Sequence, residues 1–302
     1  MNRVRGALIG ALILVCPRLA SPDSPKPGLR VVHFAWAPPG ANPALYEMND
    51  PDDQHRMVLI GNVTSGHRYP VVVAMHGQPK RGEPPRSYAF GRTVIEVARG
   101  LVERGEVRPF VLALPVFRFQ GTNWPGFDLV SFRDKLGALL AAEHLEASAY
   151  YVVGHSGAAG CGGDGMNRAH RIEPAAVGFF DTCLGAGWRD EVRALRKARI
   201  PTWMLHSVET AGFQPRQAEE YLATFDFGRA YAEAGLAPGA CPDRLPEQAL
   251  RQQPFRCASD KEGITRALVV DTGSGEQAHN ALLPVALAYF LREYLPDATR
   301  DH

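Results

Sequence analysis

Two kinds of apolar segment alternate along this chain. The first is short and apolar throughout: Pro70 to Met75, Phe110 to Val116, Tyr150 to Val153, Ala175 to Phe180, Pro201 to His206 and Ala267 to Val270. Runs of this length, rich in β-branched and aromatic residues, predict strands buried on both faces. The second kind is longer, with apolar residues at helical spacing: Arg92 to Arg104, Ser131 to Leu145, Trp188 to Arg199 and Asn280 to Leu295. In the first of these, Ile95, Val97, Ala98, Leu101 and Val102 share one side. Two more strands, Leu29 to Trp36 and Arg56 to Val63, come earlier, joined by a Pro/Gly/Asn/Asp-rich connection around Pro38 to Asp53. Alternating buried strands and helices predict an α/β fold: a mostly parallel central sheet with helices on both faces. There is no internal repeat and no low-complexity tract.

One interval breaks the alternation. Roughly sixty residues separate the strand ending near His206 from the one starting near Ala267, far more than a crossover needs. The excess, about 211–262, holds a candidate helix at Tyr221 to Ala234, several prolines, and Cys241 and Cys257. It reads as an insertion between the last two strands, stapled by its own disulfide and placed near the carboxyl ends of the strands, where sites form.

The stretch Tyr150-Tyr151-Val152-Val153-Gly154-His155-Ser156-Gly157-Ala158 carries the chemistry. A buried strand ends abruptly in a serine between small residues, which predicts a sharp turn from strand into helix with Ser156 at its apex. Such a turn strains the serine backbone and leaves little room two positions before it (Gly154) and two after (Ala158). It lifts the hydroxyl clear of the sheet and aims the amide of Gly157 at any oxyanion formed there.

These residues resemble the G-x-S-x-G nucleophile elbow of the α/β-hydrolase family, with Ala158 in place of the last glycine. The resemblance implies a serine hydrolase whose triad follows in the chain order serine, acid, histidine. The histidine should lie between the last strand and the last helix, where His279 stands. The acid should follow the penultimate strand, where Glu209 stands; Asp181, one strand earlier, is the alternative, and Asp271 a third. The family's His-Gly segment matches His76-Gly77-Gln78, so the amide of Gln78 or Gly77 is expected to complete the oxyanion hole with Gly157. His76 and His155 are expected to pack rather than transfer protons.

Two further groups belong to the same edge of the sheet. Cys161 lies about one helical turn past Ser156, and Cys183 two residues past the end of the neighbouring strand. Both cluster at the carboxyl edge within disulfide reach, so a bond bracing the elbow is expected. The loop Phe117 to Phe127 supplies Trp124 and Phe127 as walls of a substrate pocket, with Asn123 and Gln120 as polar guides, or else merely buries itself.

The totals change little. The chain has 302 residues, 45% hydrophobic and 22% charged, with a formal net charge of +1. Its first twenty residues hold Arg3, Arg5 and Arg18 and no acid; without them 30 basic residues face 32 acidic ones, a net of −2. No basic stripe remains, so nucleic acid is not an expected partner. Residues 1–20 have the form of an export signal: a basic start, an apolar Gly6 to Val15 and small residues up to Ala20. The apolar run is too short for a stable membrane span. A lipoprotein anchored at Cys16 is disfavoured by the bulky Val15. A Pro-rich linker at 21–28 then leads into one domain, 29–302. Export, to the periplasm or outside the cell, places the four remaining cysteines in an oxidising compartment.

The expected activity is therefore cleavage of a carboxylic ester through an acyl-enzyme on Ser156, with no metal or organic cofactor and a small-molecule or peptide substrate. The alternatives are a peptidase or amidase of the same fold, including one acting on cell-wall material, or a catalytically inactive binding protein. Gly160-Cys161-Gly162-Gly163-Asp164-Gly165 also matches G-x-G-x-x-G, but its glycines lie past the strand-to-helix turn, which argues against a dinucleotide site.

Overall fold

The computed structural model describes residues 29–46, 54–77, 90–117, 124–159, 164–208, 210, 228–241, 255–272 and 275–296. Among them ten strands form one sheet: β1 (Arg30–Phe34), β2 (His55–Ile60), β3 (Arg68–Met75), β4 (Phe110–Leu114), β5 (Glu146–His155), β6 (Ala176–Phe180), β7 (Thr202–Ser207), β8 (Ala237–Pro238), β9 (Phe255–Ser259) and β10 (Thr265–Val270). Their spatial order is β1-β2-β4-β3-β5-β6-β7-β10-β9-β8. The six strands from β4 to β10 in that order run parallel, and β1, β2, β9 and β8 pair antiparallel at the two flanks.

Among the described residues five α-helices accompany the sheet: α1 (Phe90–Glu103), α2 (Leu129–Ala142), α3 (Ala186–Lys197), α4 (Arg229–Glu233) and α5 (Glu276–Tyr294). Alternation along the strands splits the core into two layers. On β3, Val71, Val73 and Met75 pack with Phe132, Leu136 and Leu140 of α2 and with Trp188, Val192 and Leu195 of α3. Val72 and Ala74 face the other way, onto Val94, Ala98 and Leu101 of α1 and Leu282, Ala286 and Phe290 of α5. Burial on both faces explains why the central strands are apolar without interruption. Each fully buried aliphatic or aromatic side chain contributes about 1.5–3 kcal/mol.

Most boundaries fall within a few residues of the sequence pattern, and the exceptions have local causes. Helix α2 starts two residues before Ser131 because Asp128 caps it, accepting hydrogen bonds from the amides of Val130 and Ser131, each at 3.3 Å. The expected helix after Ser156 is instead a three-residue 3-10 turn, Ser156–Ala158. Past 160–163, which are outside the described residues, the chain resumes as a kinked 3-10 segment, Gly165–Ile172. Gly157, Gly160, Gly162, Gly163 and Gly165 make this stretch a poor α-helix former. The insertion extends the sheet: its β9 pairs antiparallel with β10, from Arg266↔Ser259 to Val270↔Phe255, and β8 adds to β9. Of the candidate helix at Tyr221 to Ala234, only α4 lies within the described residues.

The chain leaves β3 for β4 on one side, then crosses to β5 on the other. In open α/β sheets ligands bind where the order reverses, which here is beyond the carboxyl ends of β3 and β5. His76-Gly77 and Ser156 occupy those two ends.

Candidate active site

Ser156 follows the last residue of β5, which is fully extended (His155, φ −118°, ψ 143°), and turns at once to φ +57°. For a serine this left-handed conformation costs on the order of 1–3 kcal/mol and persists only where the surroundings hold it. They do so by contact. A Cβ on Gly154 would stand 2.7 Å from the Ala158 Cβ and 2.3 Å from the Met166 sulfur. The missing side chain at 154 thus leaves the space that the Ala158 methyl fills, which accounts for alanine in place of the usual second glycine. A Cβ on Gly77 would lie 2.5 Å from the Ser156 Cβ, 3.0 Å from its Oγ and 3.1 Å from the His155 carbonyl oxygen. The end of β3 is therefore packed directly against the serine.

His279 lies in the first turn of α5, whose N-cap is Gly275 at φ +89°. Its Nδ1 donates to Asp181 Oδ2 at 2.6 Å. Asp181 directly follows β6, and its own backbone turns to φ +48°. This directs the side chain beneath the neighbouring strand end, where Oδ1 accepts the Ser207 amide at 2.7 Å. The Asp181 side chain is 0% exposed and that of His279 27%. Burial alone would raise the carboxyl pKa. The hydrogen bond from His279, the nearby His206 and the Ser207 amide outweigh it and hold the group below the usual carboxylate range. An ionised partner at Nδ1 keeps the proton there, so Nε2 is the nitrogen left to accept one.

Ser156 reaches this pair through its neighbour. The His155 ring stacks on the His279 ring with centroids 4.4 Å apart. Strand order, the Gly77 contact and this stack bring Ser156, Gly157, Gly77, His279 and Asp181 to one corner of the sheet. Glu209, Gln78, Asn123 and Gln120 lie outside the described residues. The carboxylate bonded to His279 is Asp181.

His76, at the end of β3, is engaged with backbone at both nitrogens: Nδ1 donates to the Gly77 carbonyl at 2.6 Å and Nε2 accepts the Phe117 amide at 3.0 Å. Burial lowers its pKa to about 4, so it is neutral. The Trp124 indole donates to the His76 carbonyl at 3.0 Å. Trp124 and Phe127, candidates for pocket walls, are each 1% exposed. They sit in an aromatic core with Trp36, Tyr46, Phe117 and Phe132. Their rings bury the loop and prop up the His76-Gly77 turn rather than facing an opening.

An open cleft of about 350 Å³ adjoins the triad-like pair, lined by Asp181, Ser207, Thr210, Gly275, Glu276, Ala278 and His279. Cys241, just past β8, is bonded to Cys257 on β9, with Cα atoms 5.1 Å apart. Cys183 is in a disulfide as well; Cys161, paired with it on sequence grounds, is outside the described residues. Among the described residues no group of three or more His, Cys, Asp or Glu could hold a metal ion, and no helix is long and apolar enough to cross a membrane.

Sequence reasoning missed a buried network under the acid. His206 Nδ1 accepts from the Tyr231 hydroxyl at 2.6 Å, and its Nε2 lies 3.3 Å from Thr182 Oγ1. Tyr231 is the buried residue of α4, so the insertion is keyed into the residue beside Asp181. A histidine closing an otherwise apolar strand was the only signal.

No family model and no curated protein matches this sequence. Among solved structures, a mutant of the feruloyl esterase module from Clostridium thermocellum, complexed with sinapinate, matches with a TM-score of 0.50 and 13% identity, covering 93% of this chain and 94% of that one. An acetyl xylan esterase from Aspergillus awamori follows at TM-score 0.42 and 13% identity, covering 82% and 93%. A siderophore hydrolase from Aspergillus nidulans does so at 0.45 and 9%, covering 95% and 99%. At these identities the likeness concerns the fold.

Proposed function

Given the α/β-hydrolase fold of this chain, we propose that it is a serine hydrolase that cleaves carboxylic esters through an acyl-enzyme on Ser156. The hydrogen bond between His279 Nδ1 and the buried, ionised Asp181 carries this reading. Such a pair, next to the strand end that turns at the strained Ser156, supplies the base and the acid that a serine nucleophile needs.

Ser156 Oγ attacks the substrate carbonyl while His279 Nε2 takes its proton, and Asp181 stabilises the imidazolium that results. The oxyanion is received by the Gly157 amide and by an amide of the Gly77-Gln78 turn. Each donor of this kind is worth about 3 kcal/mol in the transition state. His279 then protonates the leaving alcohol. Water, deprotonated by the same imidazole, attacks the acyl-enzyme and regenerates Ser156. Export fits the Cys241–Cys257 disulfide, since such bonds persist in oxidising compartments.

Fluorophosphonate labelling tests the proposal: the wild-type protein should be modified stoichiometrically, and Ser156→Ala should abolish modification. A screen of p-nitrophenyl esters of graded chain length beside aminoacyl amides then separates esterase from amidase. Failure of the wild-type protein to label, with its fold intact, would leave an inactive binding protein as the better description.

A further inference from the structure

His155 takes no part in the chemistry above, yet its ring is buried and in contact with its neighbours. The residue is 1% exposed. Two rings adjoin it near-parallel: His279 at 4.4 Å and 29°, and Phe90, which opens α1, at 6.5 Å and 21°. Its Nε2 is 3.3 Å from the backbone carbonyl oxygen of His279. Its Nδ1 is buried with no hydrogen-bond partner among the described residues. A carbonyl only accepts, so Nε2 carries the proton and Nδ1 is the bare nitrogen.

We propose that His155 is a positioning residue for His279, fixing the plane of its ring by stacking and the height of its backbone by a hydrogen bond to its carbonyl. The inference rests on the roles assigned to Ser156 and His279 above. The torsion that turns an imidazole about its Cβ–Cγ bond has a broad minimum. The single bond from Nδ1 to Asp181 therefore leaves the ring free to tilt, and tilting carries Nε2 away from Ser156. A face-to-face neighbour 4.4 Å away removes that freedom. Burial, and then the adjacent His279, lower the His155 pKa to about 4. His155 thus stays neutral while His279 gains and loses its proton, and presents a π face, not a like charge, to the transient imidazolium.

The identity of the residue is informative. A phenylalanine would fill the same slot without a bare, buried nitrogen, a kind of group that folded proteins rarely leave unpaired. What histidine adds is the bond to the His279 carbonyl. Stacking and hydrogen bonding can accordingly be removed one at a time, with His155→Phe keeping the first and His155→Ala keeping neither.

The test measures the second-order rate of fluorophosphonate labelling, its final stoichiometry, and kcat and KM on p-nitrophenyl acetate. Both variants should label to the wild-type stoichiometry. The rate should fall about tenfold in His155→Phe and about 100-fold in His155→Ala, the scale of small misplacements of a catalytic group. The loss should appear in kcat with KM nearly constant. A residue needed only for folding would lower the stoichiometry and leave the rate of the folded fraction unchanged; that result overturns the inference, as do wild-type rates in both variants. Should His155→Ala fail to fold, His155→Phe decides alone. A wild-type protein that does not label removes the serine hydrolase reading and this inference with it, whereas wild-type labelling beside unimpaired variants removes only the inference.

Discussion

Replacing Asp181 by asparagine tests the proposed mechanism at its narrowest point. The two carboxylate oxygens have separate tasks: Oδ1 accepts the Ser207 amide at 2.7 Å and Oδ2 accepts His279 Nδ1–H at 2.6 Å. An asparagine has one acceptor and one donor group in the same plane. Its oxygen must go to the Ser207 amide, because an N–H facing an N–H in a buried site costs about 1–3 kcal/mol. The NH2 group is then turned on His279, whose Nδ1 becomes an acceptor, and the ring proton moves to Nε2. An imidazole protonated at Nε2 cannot take the proton of Ser156. The substitution should therefore lower kcat about 10³- to 10⁴-fold, or roughly 4–5.5 kcal/mol of activation energy, with KM little changed. Stopped-flow hydrolysis of p-nitrophenyl acetate measures this, with Ser156→Ala as the floor. Glu209→Gln should stay within about threefold of wild type on the same scale, since the acid's role is assigned to Asp181. A loss under tenfold for Asp181→Asn, or a larger loss for Glu209→Gln, would refute the assignment of the acid.

Three further outcomes follow from the same structure. Gly77→Ala puts a methyl 2.5 Å from the Ser156 Cβ, so kcat should drop about 10²-fold while circular dichroism is unchanged; near-normal turnover would mean that the β3 turn is not held against the serine. Burial lowers the pKa of His55, His76, His155 and His206 to about 4, against about 6.5 for a free histidine side chain. Below pH 6.5 the unfolded chain binds protons that the native state refuses until about pH 4, so stability is full above that window and falls through it, by on the order of 3 kcal/mol per histidine. Asp181, held below its usual range, adds a loss at still lower pH as it is protonated. The urea midpoint should drop from pH 7 to pH 5, and a flat profile contradicts the burial of these rings. Finally, Cys241→Ser with Cys257→Ser opens a loop of 16 residues, and should cost about 3 kcal/mol and lower Tm by several degrees; an unchanged Tm would show that β10 holds β9 in place without the bond.

What could be read in the chain, and what could not, follows from how each feature is held. The strands at the centre of the sheet announce themselves because neither face meets water, so Val71, Val72 and Val73 need no alternation. Strands β8 and β9 do not: one has two residues, and the other mixes Arg256 and Ser259 with Phe255 and Ala258 and is recognised as a strand only through its pairing with β10. The bond between Asp181 and His279 was equally hidden. It depends on one backbone turn, φ +48° at Asp181, whose only mark in the sequence is that aspartate tolerates it better than most residues.

The stack of His155 on His279 was within reach of pattern reasoning, and the geometry explains why. Side chains along a strand alternate between faces, so Tyr151, Val153 and His155 share one. Tyr151 and Val153 pack in the layer that holds α1 and α5. The first turn of α5 carries His279. The residue just before the serine therefore points to the same side of the sheet as the helix that carries His279, while Ser156 turns out of the strand at φ +57°. A ring at position 155 is thereby placed against His279. Strand parity, more than the spelling of the elbow, sets the ring at that position against the ring of His279.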